Sequence, residues 1–418
     1  MNLLRQFFLI SLILVVSSAS ALHAAEVKPE ELGFSSERLK RLDAVIQDNV
    51  DRAQIAGGIV LVARDGKPVR LRAFGMRDIE AHQPMTTDTI FRIASMSKAV
   101  TTVAVMMLYE EGKLMLHDPV YKFIPGFRNS VVAVPPPPGS PAGTPFTTVP
   151  AKRPVEIRDL LTHTAGLTYG EGPAIELYNK ANLRGWYFAD HTETIGDAIN
   201  RLATLPLQGQ PGETWQYGFS TDVLGYLVEV ISRQPLDRFF EERIFRPLKM
   251  VDTCFFLPPE KEARLAKVYG LVDGKLTVGD QGLYVRGPRK CFSGGAGLLS
   301  TIGDYDRLLE MLLNEGELDG VRLLSPKTVQ LMHANHVGDK YTQNTHAFGL
   351  GFWVNDDIGN TGELGSVGAY GWGSAYFPQY LIDPKERIVS IFMTQLRPSG
   401  TADLNQKFKV MMYQALMK

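Results

Sequence analysis

Ser95 and Lys98 stand three positions apart in "FRIASMSKAV", where a long apolar stretch begins. A serine hydroxyl attacks a carbonyl only if a base removes its proton and donors stabilise the oxyanion that forms. A helix start can serve both needs. The backbone N–H groups of the first turn lack helical partners, and the helix dipole favours negative charge there. A lysine three residues on lies on the same helix face, and burial among apolar neighbours disfavours a charged amine. The same spacing also fits an N-cap serine followed by a solvated surface lysine. A chain of 418 residues should hold about one S-x-x-K by chance.

Two later stretches supply context. Tyr217 lies in "PGETWQYGFSTDVLGYLVEV", just before a new helical pattern, and Trp372 lies in "GAYGWGSAYFPQYLIDP", a glycine-rich approach to a strand. In this order the three elements resemble the signature of the serine β-lactamase and penicillin-binding fold: S-x-x-K, then a Tyr or Ser motif, then K-T-G. Four further stretches, "IRDLLTHTAGLTYG", "PLKMVDTCFF", "SGGAGLLSTIGDYDRLLEMLLN" and "LIDPKERIVSIFMTQ", are similar to class C β-lactamases, D,D-peptidases and their esterase relatives. The resemblance runs from about residue 30 to residue 418.

The resemblance implies roles for particular residues. Ser95 would be the acylated nucleophile, with the proton traffic shared by Lys98 and Tyr217; which of these two is the acylation base stays open. The backbone N–H groups of Ser95 and Ala375 would form the oxyanion hole. The Lys98/Tyr217 pair would then activate water to release the acid, with no metal and no organic cofactor.

The chain also departs from the family pattern. Phe219 replaces the asparagine of a Y-x-N motif, and Trp372-Gly373-Ser374 replaces K-T-G. The lysine of K-T-G holds a substrate carboxylate, and an indole cannot supply that charge. A Y-x-x tyrosine motif with W-G-x resembles the family VIII carboxylesterases, although these usually show W-G-G, so Ser374 is a departure. The esterase signature G-x-S-x-G of α/β-hydrolases is absent from the chain. Phe219, Trp372, Gly373, Ser374 and Tyr169 are the expected substrate-binding set, with Arg397 a candidate for the missing cationic anchor. His163 in "LTHTAG" is expected to be structural, and the remaining histidines show no zinc spacing.

The expectation is an exported serine carboxylesterase for short-chain or neutral esters, with weak β-lactam hydrolysis. A class C-like β-lactamase or D,D-peptidase is the alternative, and a stalled penicillin-binding or sensor module a third.

Elements that position these residues can be read along the chain. "SSERLKRLDAVIQDNVDRAQ" predicts a serine-capped helix. "AGGIVLVARDGKPVRLRAFGMRD" predicts a hairpin turning at Asp65-Gly66. The run from Ser95 to Leu114 predicts a buried helix. Residues 131–154, rich in proline, are expected to be an exposed loop, and residues 155–250 are mainly helical. "FGLGFWV", "AYFPQYLIDP" and "RIVSIFMTQL" read as strands, followed by a last helix. The fold class expected is α+β, β-lactamase/D,D-peptidase-like: an antiparallel sheet built from both chain ends, flanking helices and an inserted helical region. The sheet-bearing part spans about 25–95 and 290–418, and the insertion 96–289.

Residues 1–24 read as a signal peptide: Arg5, an apolar run of about ten residues and a small-residue stretch ending at Ala21, Ala24 or Ala25. A spanning helix needs roughly 20 apolar residues. The expected address is therefore periplasmic or secreted, with no stable membrane insertion after cleavage. A formal net charge of −1 gives no electrostatic footprint for nucleic acid. The expected partner is a small-molecule ester or β-lactam-like substrate, and oligomeric state is not legible. Cys254 and Cys291 are either a disulfide or two buried thiols.

Overall fold

The computed structural model describes residues 27–341, 346–400 and 402–418, so the signal-peptide reading of residues 1–24 lies outside the described residues. Strands β1 (Gly57–Arg64) and β2 (Lys67–Asp78) form the expected hairpin, with Asp65 and Gly66 at φ 52° and 70°. Two successive positive φ values make the turn whose twist matches paired strands.

The other edge of β1 pairs antiparallel with β16 (Ile388–Thr394), so the two ends of the chain meet inside the sheet. The full order is β12 (Ala347–Phe348), β13 (Trp353–Val354), β14 (Tyr370–Gly373), β15 (Gln379–Asp383), β16, β1, β2 and β3 (Gln83–Pro84). Every pairing is antiparallel.

Alternation along β1 explains why the sheet is covered on both faces. Ile59 and Leu61 enter one core, and Val60 and Val62 the other. Helices α1 (Ser36–Asp51) and α11 (Leu404–Tyr413) pack together on the second face. Ser35 caps α1 by accepting the N–H of Arg38. On the first face α8 (Ile302–Leu313) lies against β15 and β16.

Between β4 (Ile90–Arg92) and its partner β9 (Leu299–Thr301) run helices α2 (Ser97–Glu110), α3 (Ile157–Leu161), α4 (Ile175–Lys180), α5 (Ile195–Leu202), α6 (Ser220–Ser232) and α7 (Leu236–Phe240). Every residue of α2 from Ser97 to Leu108 is buried, the polar Ser97, Lys98, Thr101 and Thr102 included, and the helix packs on α6. After β9 come the small hairpin of β10 (Glu317–Leu318) and β11 (Val321–Arg322), then α9 (Pro326–Met332) and α10 (Ile358–Thr361).

Three expectations need correction. The proline-rich stretch is not wholly loop: β5 (Val131–Val134) and β6 (Thr147–Pro150) pair across it, and Leu207 binds the outer edge of β5. Of its prolines, those from 135 to 145 fall in the connection, Pro150 at the end of β6 and Pro154 beyond it, where a missing N–H removes little. "FGLGFWV" is not one strand, because Gly351 at φ 85° turns it into the β12–β13 hairpin. Ser95 does not sit in the first turn of α2 but in a 3-10 turn, Ala94–Met96, that precedes it. The two cysteines are free thiols.

Among the described residues, no helix is long and apolar enough to cross a membrane.

Candidate active site

The turn carrying Ser95 is fixed from several sides. Met96 N–H bonds the Ile93 carbonyl, the Tyr305 hydroxyl donates to the Met96 carbonyl, and Ser97 Oγ accepts the Leu298 N–H. Ala94 holds a positive φ of 36° immediately before the serine, a conformation that an L-residue keeps only when its surroundings impose it.

Lys98, the second residue of α2, is 1% exposed. Its Nζ donates to the Gly295 carbonyl at 2.8 Å and the Tyr169 hydroxyl at 3.2 Å, with Ser95 Oγ at 3.5 Å. All three contacts are acceptors, the set that an ammonium satisfies. The ammonium also stands 4.6 Å from the centre of the Tyr217 ring.

Tyr217 reaches the site from the segment before α6. Its Oη lies 2.8 Å from Ser95 Oγ, closer than the lysine. Gly218 is required here: a Cβ would come within 2.4 Å of the backbone of Leu167 and Thr168. The ring of Tyr217 is packed by His163 at 4.8 Å, Trp215 at 5.9 Å and Trp372 at 5.5 Å between centroids. Trp372 Nε1 donates to Tyr217 Oη at 3.3 Å.

His163 is fully buried, its Nδ1 has no hydrogen-bond partner, and burial with the nearby Lys98 charge holds its pKa well below the usual range. It is a neutral packing surface for Tyr217.

The third motif sits beside the nucleophile because β14 packs against the turn that carries Ser95. Ala375 joins Trp186 against a buried cluster of Ala94, Val268, Ala296 and Tyr376. Ser374 builds the turn: its Oγ accepts the Tyr376 N–H and its carbonyl accepts the Phe377 N–H. Serine in place of glycine thus adds a side-chain bond at the residue before Ala375. Beside Gly373 a Cβ would meet only the Pro378 carbonyl at 3.7 Å, so open space lies next to it.

Two residues expected to contact substrate do not face the cleft. Phe219 is wholly buried behind Tyr169, with ring centroids 5.0 Å apart. Its dihedrals are already helical, φ −66° and ψ −2°, which turns it away from the side Tyr217 occupies. Tyr169 is also buried, with its hydroxyl bound to Lys98, and burial pushes its pKa well above the usual phenol range. Tyr169 supports the lysine instead of lining the cleft. Arg397 is exposed and lies over Trp186, 4.7 Å from the ring centre, not beside Trp372.

Asp222 was missed by the sequence reading. It lies fully buried on α6, where its Oδ1 accepts Ser293 Oγ at 2.5 Å and the Gly295 N–H at 3.1 Å, while Oδ2 has no hydrogen-bond partner. Burial raises its pKa, and the Lys98 charge and these hydrogen bonds pull it back. Gly295 therefore joins the two charges, Asp222 on its N–H and Lys98 on its carbonyl. An acid at the start of the largely apolar helix "DVLGYLVEV" was the signal available.

The arrangement places a serine, a tyrosine and a lysine on one chain of contacts, with two backbone segments, at Ser95 and Ala375, packed alongside. It has the parts for acyl transfer through a covalent serine ester.

Comparison with known proteins agrees. Residues 42–410 match the family model described as Beta-lactamase. Protein Rv1367c of Mycobacterium tuberculosis is 35% identical over 379 residues, covering 86% of this chain and 90% of that protein. Esterase EstB of Burkholderia gladioli is 31% identical over 402 residues, covering 90% and 95%. The structure of EstCE1, a hydrolase with promiscuous acyltransferase activity, superposes with a TM-score of 0.78 at 27% identity, covering 90% of this chain and 99% of that one. The chain belongs to the beta-lactamase family and is a serine hydrolase.

Proposed function

We propose that the protein is an exported carboxylesterase that forms its acyl-enzyme on Ser95. The observation that carries this reading is the bond from Trp372 Nε1 to Tyr217 Oη. Where a K-T-G motif would offer a carboxylate-binding cation, this chain offers a neutral donor already directed at the tyrosine. Among the described residues, the cation hydrogen-bonded within this group is Lys98, which is committed to Gly295 and Tyr169. A substrate that presents a carboxylate beside its leaving group would leave that charge unpaired there, whereas a neutral ester would not.

In the proposed reaction Tyr217 acts as a phenolate: Ser95 Oγ attacks the ester carbonyl while the deprotonated tyrosine oxygen takes its proton. The carbonyl oxygen becomes an oxyanion between the N–H groups of Ser95 and Ala375. Its collapse breaks the bond to the alcohol, which leaves with the proton from Tyr217. Water, deprotonated by the same tyrosine, then attacks the acyl-enzyme, and Ser95 leaves as the hydroxyl once it has its proton back. Lys98 stabilises charge on the tyrosine oxygen and ring, and the Trp372 N–H does so from the other side.

Intact-protein mass spectrometry after brief exposure to p-nitrophenyl butyrate tests this. A butyryl adduct mapped to Ser95 and absent from Ser95→Ala is expected; an adduct elsewhere, or turnover that survives in Ser95→Ala, would overturn the assignment. Export rests on the three-part pattern of residues 1–24. An N-terminus at or near Ala25 in material from outside the cytoplasm is the result expected.

A further inference from the structure

Next to Ala375 the structure holds a cavity of about 430 Å³ whose lining includes Tyr376, the following residue. Trp186, Tyr376 and Val268 contribute apolar walls, and Arg184, Arg397 and Asp280 contribute charge. The cavity adjoins the candidate active site: its wall residues Trp186, Tyr376 and Val268 pack in the cluster that also contains Ala375 and Ala94, the residue before Ser95.

Its geometry is fixed. Trp186 meets Tyr376 edge to face with centroids 5.5 Å apart, and the Arg397 guanidinium lies 4.7 Å from the Trp186 ring centre. The Arg397 backbone is held by its N–H to the Tyr269 carbonyl of β7 (Tyr269–Val272), and the preceding Leu396 N–H bonds the Tyr376 carbonyl. β7 pairs with β8 (Lys275–Val278), and this hairpin carries several residues of the cavity wall.

The charges do not cancel. Among the described residues, neither the Arg184 nor the Arg397 guanidinium has a carboxylate or hydrogen-bonded partner, while Asp280 accepts the Gly282 N–H. Two cations against one acid, with Arg397 lying over the Trp186 ring, suit a ligand with an apolar body and an anionic end.

The position decides which half of an ester enters. This step rests on the proposed function: the leaving alcohol takes a proton from Tyr217, so it lies at the Tyr217–Trp372 end, and the acyl part lies past Ala375 towards Tyr376. We propose that this cavity is an acyl subsite for chains or rings bearing a distal carboxylate, with Arg397 as the cation that pairs with it. Trp372 then disfavours a carboxylate beside the leaving group, while Arg397 favours one at the far end of the acyl group. The preferred substrates are half-esters of dicarboxylic acids.

The test compares p-nitrophenyl hydrogen adipate with its methyl ester, which differ in the distal charge. Wild type is expected to show the higher kcat/KM for the acid. Arg397→Gln should lower the acid-to-methyl-ester ratio by about tenfold or more, the size of a charge-assisted hydrogen bond. Arg397→Lys should keep part of the preference, and added salt should reduce it in wild type. A wild-type ratio at or below one, or a ratio unmoved by Arg397→Gln, overturns the subsite.

Calorimetry of monomethyl adipate with Ser95→Ala separates this from failure of the esterase reading. If wild type hydrolyses neither ester, the proposed function fails, and the subsite stands only if that binding is present and is lost on adding Arg397→Gln.

Discussion

Trp372 and Tyr217 are joined by a hydrogen bond of 3.3 Å from indole Nε1 to phenol Oη, and that oxygen lies 2.8 Å from Ser95 Oγ. The residue that removes a cationic anchor from the third motif is thus also the residue that holds the tyrosine. Selectivity and catalysis share one side chain, and substitutions can separate them.

Trp372→Phe keeps an aromatic wall against Phe348 and loses the N–H. The kcat on p-nitrophenyl butyrate should fall about three- to tenfold, the effect of one hydrogen bond of roughly 1 kcal/mol. Trp372→Lys should instead raise β-lactam acylation relative to ester turnover. Stopped-flow acylation by nitrocefin and by the ester gives that ratio, and no change in it would mean that another residue sets selectivity.

Tyr217→Phe retains the packing with His163, Trp215 and Trp372 and removes the group nearest to Ser95 Oγ. Loss of a general acid–base residue should reduce kcat/KM by about 10² to 10⁴. The thermal midpoint should stay within a few degrees of wild type. A Tyr217→Phe enzyme retaining most of its activity would move the base role to Lys98.

Asp222 acts on the chemistry through Gly295, so it is a positioning residue. Asp222→Asn keeps an oxygen that can accept from Ser293 and Gly295 but removes the negative charge facing Lys98. We expect kcat to fall about tenfold with KM and the melting temperature nearly unchanged. Asp222→Ala should lose stability as well, because it leaves buried donors unpaired. Equal loss of stability in both variants would assign Asp222 to folding alone.

Glu310 on α8 predicts a pH dependence of stability. It is 4% exposed, neither carboxylate oxygen has a hydrogen-bond partner, and burial raises its pKa to about 7. Because the folded pKa lies above the unfolded value, the native state binds more protons between pH 4.5 and 7, and stability falls as pH rises through that window. Removing the titration with Glu310→Gln should leave stability near wild type at pH 4.5 and add roughly 3 kcal/mol above pH 7, the scale of a shift from 4.5 to about 7. Urea denaturation of both proteins at the two pH values measures the difference, and a gap independent of pH would refute it.

Much of the fold was legible because local signals agreed with the global arrangement. Asp65-Gly66 named its own turn, and the β-rich runs on either side of it named the two strands of the hairpin. Ser95, Lys98, Tyr217 and Trp372 were found from motif order, and the structure brings them into contact. What was not legible depends on direction or on long-range contact. Phe219 follows Tyr217 by two residues, yet the helix start sends their side chains apart. Tyr169 was read as a cleft residue, but its hydroxyl is bound to Lys98, a partner 71 positions away. The meeting of Asp222 with Gly295 joins segments 73 residues apart, and nothing in either segment alone reveals it.

The most direct test of the account is a parallel determination of kcat/KM on p-nitrophenyl butyrate and nitrocefin, with Ser95→Ala as the blank. A dominant ester rate that disappears in Ser95→Ala is expected. A dominant, serine-dependent nitrocefin rate would contradict it, since it would require a carboxylate anchor that neither Trp372 nor Lys98, committed to Gly295 and Tyr169, supplies.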